Sequence, residues 1–536
     1  MPRRTSASGL LDGMLPKGPR WLLAAALFFL LLGIFFRVYG LGDRNLWTDE
    51  AWVALAACQP TPSAALAAGK STPPFYLLTV WGVVQVLGTS EAALRLLSVV
   101  LGIGALVLFW PLANLLLPPG QALCAFALAS LSHRLVYFSK ELKQYSADVF
   151  FVTLALLLVE QQRRRGGRGG WLLLTLLLAL GLGYSYPLVF VLPVAAVVLW
   201  RELPGARRQI AWSFGALAAS FAALYLTLIR GQVDPQLLIY WQADFPDLSG
   251  VGAFFTWLGS AWWRFGRYYF PDWRVIPGAL LAAAGLAAAV RGGSARLLWY
   301  FLGPLLVALA AAFAHRYPFM GRAGGVRLML FAAPMLYLAT GAGLGEVLQR
   351  LWLWTTRGDN RQEGQPGAGG RGAGRSAKPV LALGLALLAV LAWLRPIFLW
   401  QENLWPTLNR EELAPLVRYV EAHRRPGEAI YLYYFAIDPF TFYYRGPWTD
   451  IIWGQSCHDC GLPLPAGRLR QIRRLWLVFS HYESEAQVEQ FIHGLLGEGW
   501  TRELVQTQPG ALLFRYRPPW SVPEAAANDL RPPGPE

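Results

Sequence analysis

Charge is what this chain has least of. Only 15% of its 536 residues are Asp, Glu, Lys or Arg, while 55% are hydrophobic. A soluble protein of this length needs far more polar surface, so the balance points to a polytopic membrane protein. Cysteine is scarce too: Cys58, Cys124, Cys457 and Cys460 are too few for a disulfide scaffold. Cys457-His458-Asp459-Cys460 resembles half a zinc site, but no second Cys/His pair follows at suitable spacing. A local disulfide in an oxidising compartment is the better expectation. A nucleotide loop is also missing. Gly69-Lys70-Ser71 ends like a P-loop, but Ala64 stands where the first glycine is required.

The net charge of +15 does not make a face for nucleic acid, and no nucleic-acid partner is expected. The arginines cluster in short runs between apolar segments, as cytoplasmic loops do. Arg3, Arg4, Lys17 and Arg20 precede the first apolar segment, which lacks a small-x-small cleavage site and reads as an uncleaved signal anchor. About 20 apolar residues cross a bilayer. The spans expected on that basis are 20–38, 95–117, 121–139, 145–160, 171–185, 186–200, 210–229, 275–290, 297–314, 327–348 and 379–399. Residues 73–88 are apolar but short, and open with Pro73-Pro74. If they do not cross, the Arg runs at 161–170, 201–208, 291–296 and 350–378 all lie with the basic N-terminus; if they cross, all four face outward. The positive-inside rule selects the first case. Residues 73–88 then lie on or dip into the outer surface. The expected location is a bacterial inner membrane, with the N-terminus cytoplasmic and the C-terminal domain extracytoplasmic.

The expected fold class is an all-α polytopic membrane domain of about eleven transmembrane helices over residues 1–400, a small extracytoplasmic α/β domain over 401–520, and a disordered Pro-rich tail over 521–536. The Gly/Arg-rich stretch 357–378 reads as a linker. In the α/β domain, Asn409 with Glu412 predicts a capping box, and Ser484 with Gln487 a cap for a helix to about 497. Residues 429–434, 475–480 and 511–516 read as strands.

The candidate chemistry gathers on the outward side. Asp49–Glu50 follows the first span, flanked by Trp47 and Trp52. Two adjacent carboxylates at a membrane surface need a reason: a metal, a proton transfer or a cationic partner. The bland alternative is an acidic surface loop. Glu141, Tyr145 and Asp148 are spaced to share one helix face, and Asp148 enters the apolar run 149–159. Against that stands a simple cap with a local Glu141–Tyr145 hydrogen bond. Lys70, Arg95, Lys143, His315, Arg316, Arg322 and Arg327 are cations on the side where the positive-inside rule disfavours them. They suit a lipid phosphate, although Arg95 has an alternative pair in Glu91. The aromatic segment 241–273 reads first as an interfacial helix and second as a groove for an isoprenoid chain.

The order of these pieces resembles the GT-C superfamily of integral-membrane glycosyltransferases, which includes the protein O-mannosyltransferases and the lipid A aminoarabinose transferase. The matching pieces are Trp47–Trp52, Ser71–Leu78, Glu91–Ser98, Ser139–Asp148 and Tyr317–Arg322. The resemblance implies transfer of a sugar from a polyprenyl-phosphate donor to an acceptor hydroxyl on a lipid, glycan or protein, at the outer face. It implies an inverting hexosyl or pentosyl transferase, with Asp49 and Glu50 as base or positioning group and a second carboxylate from Glu141 or Asp148. Lys70, Arg95, Lys143, Tyr145, Arg316, Arg322 and Arg327 would hold donor and phosphate. The family has metal-dependent and metal-independent members. With no His near Asp49 or Glu141, Mg²⁺ or Mn²⁺ suits these carboxylates better than zinc if a metal takes part. The chain has Ser71-Thr72 where some relatives carry a His before the Pro-Pro pair, and Lys143 where some carry Arg. The rival function is a transporter or flippase for a lipid-linked sugar. It is weakened by the absence of a visible internal repeat and by ionisable residues gathered at one face.

Overall fold

The computed structural model describes residues 20–232, 240–270, 272–322, 325–359, 411–454 and 472–520. Their helices are α1 (Arg20–Val38), α2 (Thr48–Ala57), α3 (Pro62–Ala68), α4 (Pro74–Leu87), α5 (Glu91–Leu116), α6 (Pro119–Leu131), α7 (His133–Ser139), α8 (Tyr145–Arg165), α9 (Arg168–Leu182), α10 (Leu188–Glu202), α11 (Arg207–Leu224), α12 (Val251–Tyr269), α13 (Val275–Arg291), α14 (Arg296–Phe313), α15 (Ala333–Asp359), α16 (Leu413–His423), α17 (Ile437–Tyr443) and α18 (Glu485–Leu496). Five strands complete the set: β1 (Glu428–Leu432), β2 (Ile451–Trp453), β3 (Arg474–Ser480), β4 (Thr501–Gln508) and β5 (Ala511–Arg517). They form two compact units that interleave in sequence. One takes the described parts of 1–41, 69–86 and 94–405, the other 42–68, 87–93 and 406–536.

The first unit is a helical bundle, and the chain is a multi-pass membrane protein. Six of its described stretches are long and apolar enough to cross a bilayer: Arg20–Val38, Glu91–Leu116, Pro204–Gln232, Asp272–Arg291, Arg296–Phe313 and Gly325–Leu353. The pair α6 and α7, bent by 48°, makes a seventh if it is one span. Eleven were expected. Three of the expected spans fall on helices outside that set: α9 and α10, of 15 residues each, and α8, which ends in Arg163, Arg164 and Arg165. The expected span 379–399 lies outside the described residues.

The expected single span 121–139 is broken at Ser132, whose backbone leaves the helical region and whose hydroxyl accepts from the Leu135 N–H at 3.2 Å. The same hydroxyl pairs with the Tyr337 hydroxyl at 2.6 Å. The carbonyls freed at the end of α6 find a donor in buried Arg37, whose guanidinium reaches Ser130 O at 3.0 Å and Ala129 O at 3.4 Å. Elsewhere the bundle depends on missing side chains. A Cβ on Gly341 would overlap the Ala125 backbone of α6, and a Cβ on Gly343 the Leu281 carbonyl of α13. Helix α15 thus lies between two helices at backbone contact, as small residues permit in membrane helices.

The second unit carries a five-stranded sheet in the order β2-β1-β3-β5-β4. Strands β2, β1 and β3 are parallel, and β5 is antiparallel to β3 and β4. Strands β1 and β3 are almost wholly buried, which is why they read as continuous apolar runs. Trp476, with no exposed surface, gives its indole N–H to Glu428 at 2.8 Å. The three expected strands and the Ser484 cap are present, the Ser484 hydroxyl accepting from the Gln487 N–H at 3.2 Å. The expected capping box fails in part. Glu412 itself occupies the N-cap of α16 without a side-chain cap bond, and Asn409 lies outside the described residues. So do the Cys457–Cys460 pair, the linker 360–378 and the tail from 521.

Candidate functional site

The acid pair opens α2 in the second unit. Both carboxylates stand in the first helical turn, where the helix dipole favours anions. Glu50 is buried, at 1% exposure, and Asp49 is half-buried. This is not an acidic surface loop. Nor does Trp47 belong to an aromatic belt: it is buried and stacks on the His481 ring at 5.8 Å.

The second acidic group belongs to the first unit. The expected common helix face for Glu141, Tyr145 and Asp148 is not formed. Helix α7 ends at Ser139, residues 140–144 make a turn closed by the Lys143 N–H on Glu141 O at 2.8 Å, and α8 begins at Tyr145. Only Tyr145 and Asp148 share a helix. Turn and helix start are nonetheless buried together: Glu141 at 0%, Lys143 at 6%, Tyr145 and Asp148 at 3%. Ser98 donates to the Lys143 carbonyl at 3.3 Å and pairs with the Tyr76 hydroxyl at 2.8 Å, which draws α4 and α5 to the turn. Lys140 Nζ donates to Tyr39 O at 3.2 Å, and Arg95 Nη1 to Leu41 O at 3.1 Å. Arg95 is fully buried, and Glu91 accepts from the Tyr443 hydroxyl at 3.0 Å.

Asp148 is the unexplained member. Its Oδ1 is buried with the Ser185 hydroxyl as its hydrogen-bonding neighbour, but the two stand outside good hydrogen-bond geometry. A buried carboxylate oxygen left unsatisfied is uncommon and marks a place where a polar ligand or a proton is accommodated.

The cationic loop 315–326 is organised by a residue the sequence reading missed. Asp244, 4% exposed, accepts the Arg322 N–H on Oδ1 at 2.7 Å, with Arg322 Nε at 3.9 Å. Its backbone carbonyl accepts the Phe319 N–H at 3.2 Å, and Arg264 Nε holds Met320 O at 3.0 Å. Gly321 leaves the space this carboxylate fills. The one available signal was an acid inside an aromatic segment, opposite a Gly-rich loop. Arg316 and Arg322 are exposed, the latter at 60%; Lys70 is exposed and Arg327 half-buried. Helix α12 turns Trp257, Phe265 and Tyr269 inward and leaves Phe255 and Trp263 exposed.

Burial pushes the Asp244 carboxyl above the usual carboxylate range, against the Arg322 N–H and the charges of Arg264 and Arg322. A carboxyl raised on folding adds stability below its ordinary value near ~4, and that stability is lost as pH rises through the folded value. Asp244→Asn keeps an acceptor oxygen for the loop and removes this pH term. Asp244→Ala keeps neither and should lose about 1 kcal/mol. Thermal unfolding of the purified variants at pH 5 and pH 7.5 should show Asn gaining on wild type at the higher pH and Ala below both. Equal melting of Asn and Ala would remove Asp244 as the anchor of this loop.

No group of three or more His, Cys, Asp or Glu side chains comes together among the described residues, and no step below is routed through a metal.

Residues 71–229 match the family described as Dolichyl-phosphate-mannose-protein mannosyltransferase. No curated protein matches the chain in sequence. Among solved structures, the archaeal oligosaccharyltransferase AglB from Archaeoglobus fulgidus, in complex with an inhibitory peptide and a dolichol-phosphate, is 12% identical with a TM-score of 0.51. That match covers 94% of this chain and 75% of AglB. ArnT from Cupriavidus metallidurans, bound to undecaprenyl phosphate, is also 12% identical, covering 95% of this chain and 98% of ArnT with a TM-score of 0.46. The fold is that of the GT-C membrane glycosyltransferases.

Proposed function

We propose that this GT-C-fold protein transfers a sugar from a polyprenyl-phosphate donor to an acceptor hydroxyl at the outer face of a bacterial inner membrane. The observation that carries this reading is the mannosyltransferase-family match over residues 71–229, set beside an acidic pair on a short helix, Glu50 buried and Asp49 half-buried. Asp49 takes the proton of the attacking hydroxyl, and Glu50 orients or tunes it. The acceptor oxygen bonds to the anomeric carbon as the carbon–phosphate-oxygen bond breaks, with inversion. Charge grows on the departing polyprenyl phosphate, and fixed cations stabilise it. Lys70, Arg316 and Arg322 are exposed and would meet the phosphate; Arg95 and Lys143, buried in the bundle, act through the turn at 140–144. Asp148, with its unsatisfied oxygen, is the better second carboxylate for a sugar hydroxyl; Glu141 is the alternative.

Proteoliposomes separate this reading from a flippase. With purified protein, a polyprenyl-phosphate sugar and an envelope extract as the source of acceptor hydroxyls, the expected products are glycosylated acceptor and free polyprenyl phosphate, since transfer cleaves the donor. Intact donor delivered across the bilayer, with no cleavage, would establish the flippase instead.

A further inference from the structure

Helix α2, which carries Asp49 and Glu50, has no cap of its own. Trp47 occupies the N-cap position with extended backbone and no side-chain bond to the first turn. A helix start leaves N–H groups that need acceptors, and Ser, Thr, Asp or Asn normally supply one from the N-cap. Here an acceptor comes from 363 residues away. Glu411, 5% exposed, takes the Thr48 N–H on Oε2 at 3.3 Å and the Thr48 hydroxyl at the same distance. The end of β3 fixes that carboxylate: the Ser480 hydroxyl donates to Oε2 at 2.8 Å, and His481 Nδ1 lies 2.6 Å from Oε1. The His481 ring is the one stacked on Trp47. Phe435 O, at 2.7 Å from the Thr48 hydroxyl, shares that hydroxyl's single proton with Glu411 Oε2, so the Thr48 N–H is the arm that belongs to Glu411 alone.

The residues just before are gripped in the same way. The Leu46 N–H donates to the Tyr443 hydroxyl at 2.7 Å, and Asn45 Nδ2 to Glu412 Oε2 at 2.5 Å. Every partner belongs to the second unit, so the segment that carries the acid pair is seated on the C-terminal sheet domain. A carboxylate at a helix start is also favoured by the dipole, which explains Glu here rather than a neutral acceptor.

We infer that Glu411 is a positioning residue: through Thr48 it fixes the first turn of α2, and the C-terminal domain thereby sets where Asp49 and Glu50 point. This inference rests on the reading of Asp49 as the base. A displacement of about 1 Å in a reacting group costs up to about a hundredfold in rate. In the purified full-length chain, assayed for sugar transfer, Glu411→Ala should lower kcat between about tenfold and a hundredfold and leave KM for the donor unchanged. Glu411→Gln keeps an oxygen for the Thr48 N–H and Ser480, and should recover most of the loss. In an Asp49→Asn background, Glu411→Ala should add little, because the group it aims is already disabled. Thr48→Ala removes one arm of the same clasp with a smaller change, and should lower kcat several-fold without lowering the melting temperature. It serves if Glu411→Ala fails to fold. Wild-type kcat in Glu411→Ala, or in Thr48→Ala, with Asp49→Asn inactive, would overturn the positioning role and leave the proposed function intact. Wild-type turnover in Asp49→Asn would overturn the reading of the acid pair, and the inference with it.

Discussion

Asp49→Asn should abolish transfer while leaving folding and donor binding nearly intact. Asn keeps the shape and one acceptor oxygen, so the first turn of α2 stays packed. It cannot take a proton or carry charge. Loss of a general base costs about a hundredfold to ten-thousandfold in rate, whereas a carboxylate that only packs costs well under tenfold. Glu50, at 1% exposure, has a different environment from half-buried Asp49. Glu50→Gln should therefore fall between, as a partner that tunes or orients. Single-turnover rates with purified protein and saturating donor separate the cases. Near wild-type turnover in Asp49→Asn would move the base to Asp148 or Glu141.

Gly343→Val should cost the bundle its fold. A β-carbon at Gly343 would overlap the carbonyl oxygen of Leu281, so the conflict is with backbone and no rotamer relieves it. Relief requires α15 and α13 to move apart. Moving α15 off α13 would press it onto α6, where Gly341 and Gly345 already lie against Ala125 and Gln121. Overpacking alone costs about 1–3 kcal/mol, and disturbance of two backbone-contact interfaces should exceed it. The expected result is loss of monodisperse protein in detergent. Gly215→Val, on α11 with open space around it, should be tolerated. Equal yield and melting of Gly343→Val and Gly215→Val would contradict the close packing of α15.

These contrasts show what the sequence made legible. The Ser484 cap and strands β1, β3 and β5 were readable because their signals are local: a hydroxyl three residues before its N–H partner, and apolar runs of strand length. Strand β4 was missed because Thr501–Gln508 is an edge strand of mixed burial, with Glu503 facing Arg474, Arg515 and Arg517. Glu141 was spaced for the α8 face and left it because α7 ends early, something spacing cannot report. Arg37 and Glu411 lay beyond any local rule, since their partners are 93 and 363 residues distant. The acid pair itself was visible as an anomaly of charge placement; the clasp that orients it was not.

The central claim is transfer of a sugar from a lipid phosphate. The most direct measurement is the fate of radiolabel when purified protein in detergent is given polyprenyl-phosphate-linked sugars and an extract of envelope acceptors. The account predicts label in the acceptor fraction, an equal amount of polyprenyl phosphate released, and neither with Asp49→Asn protein. Label that stays on the polyprenyl phosphate across the donors tried, with protein shown to bind them, would contradict it.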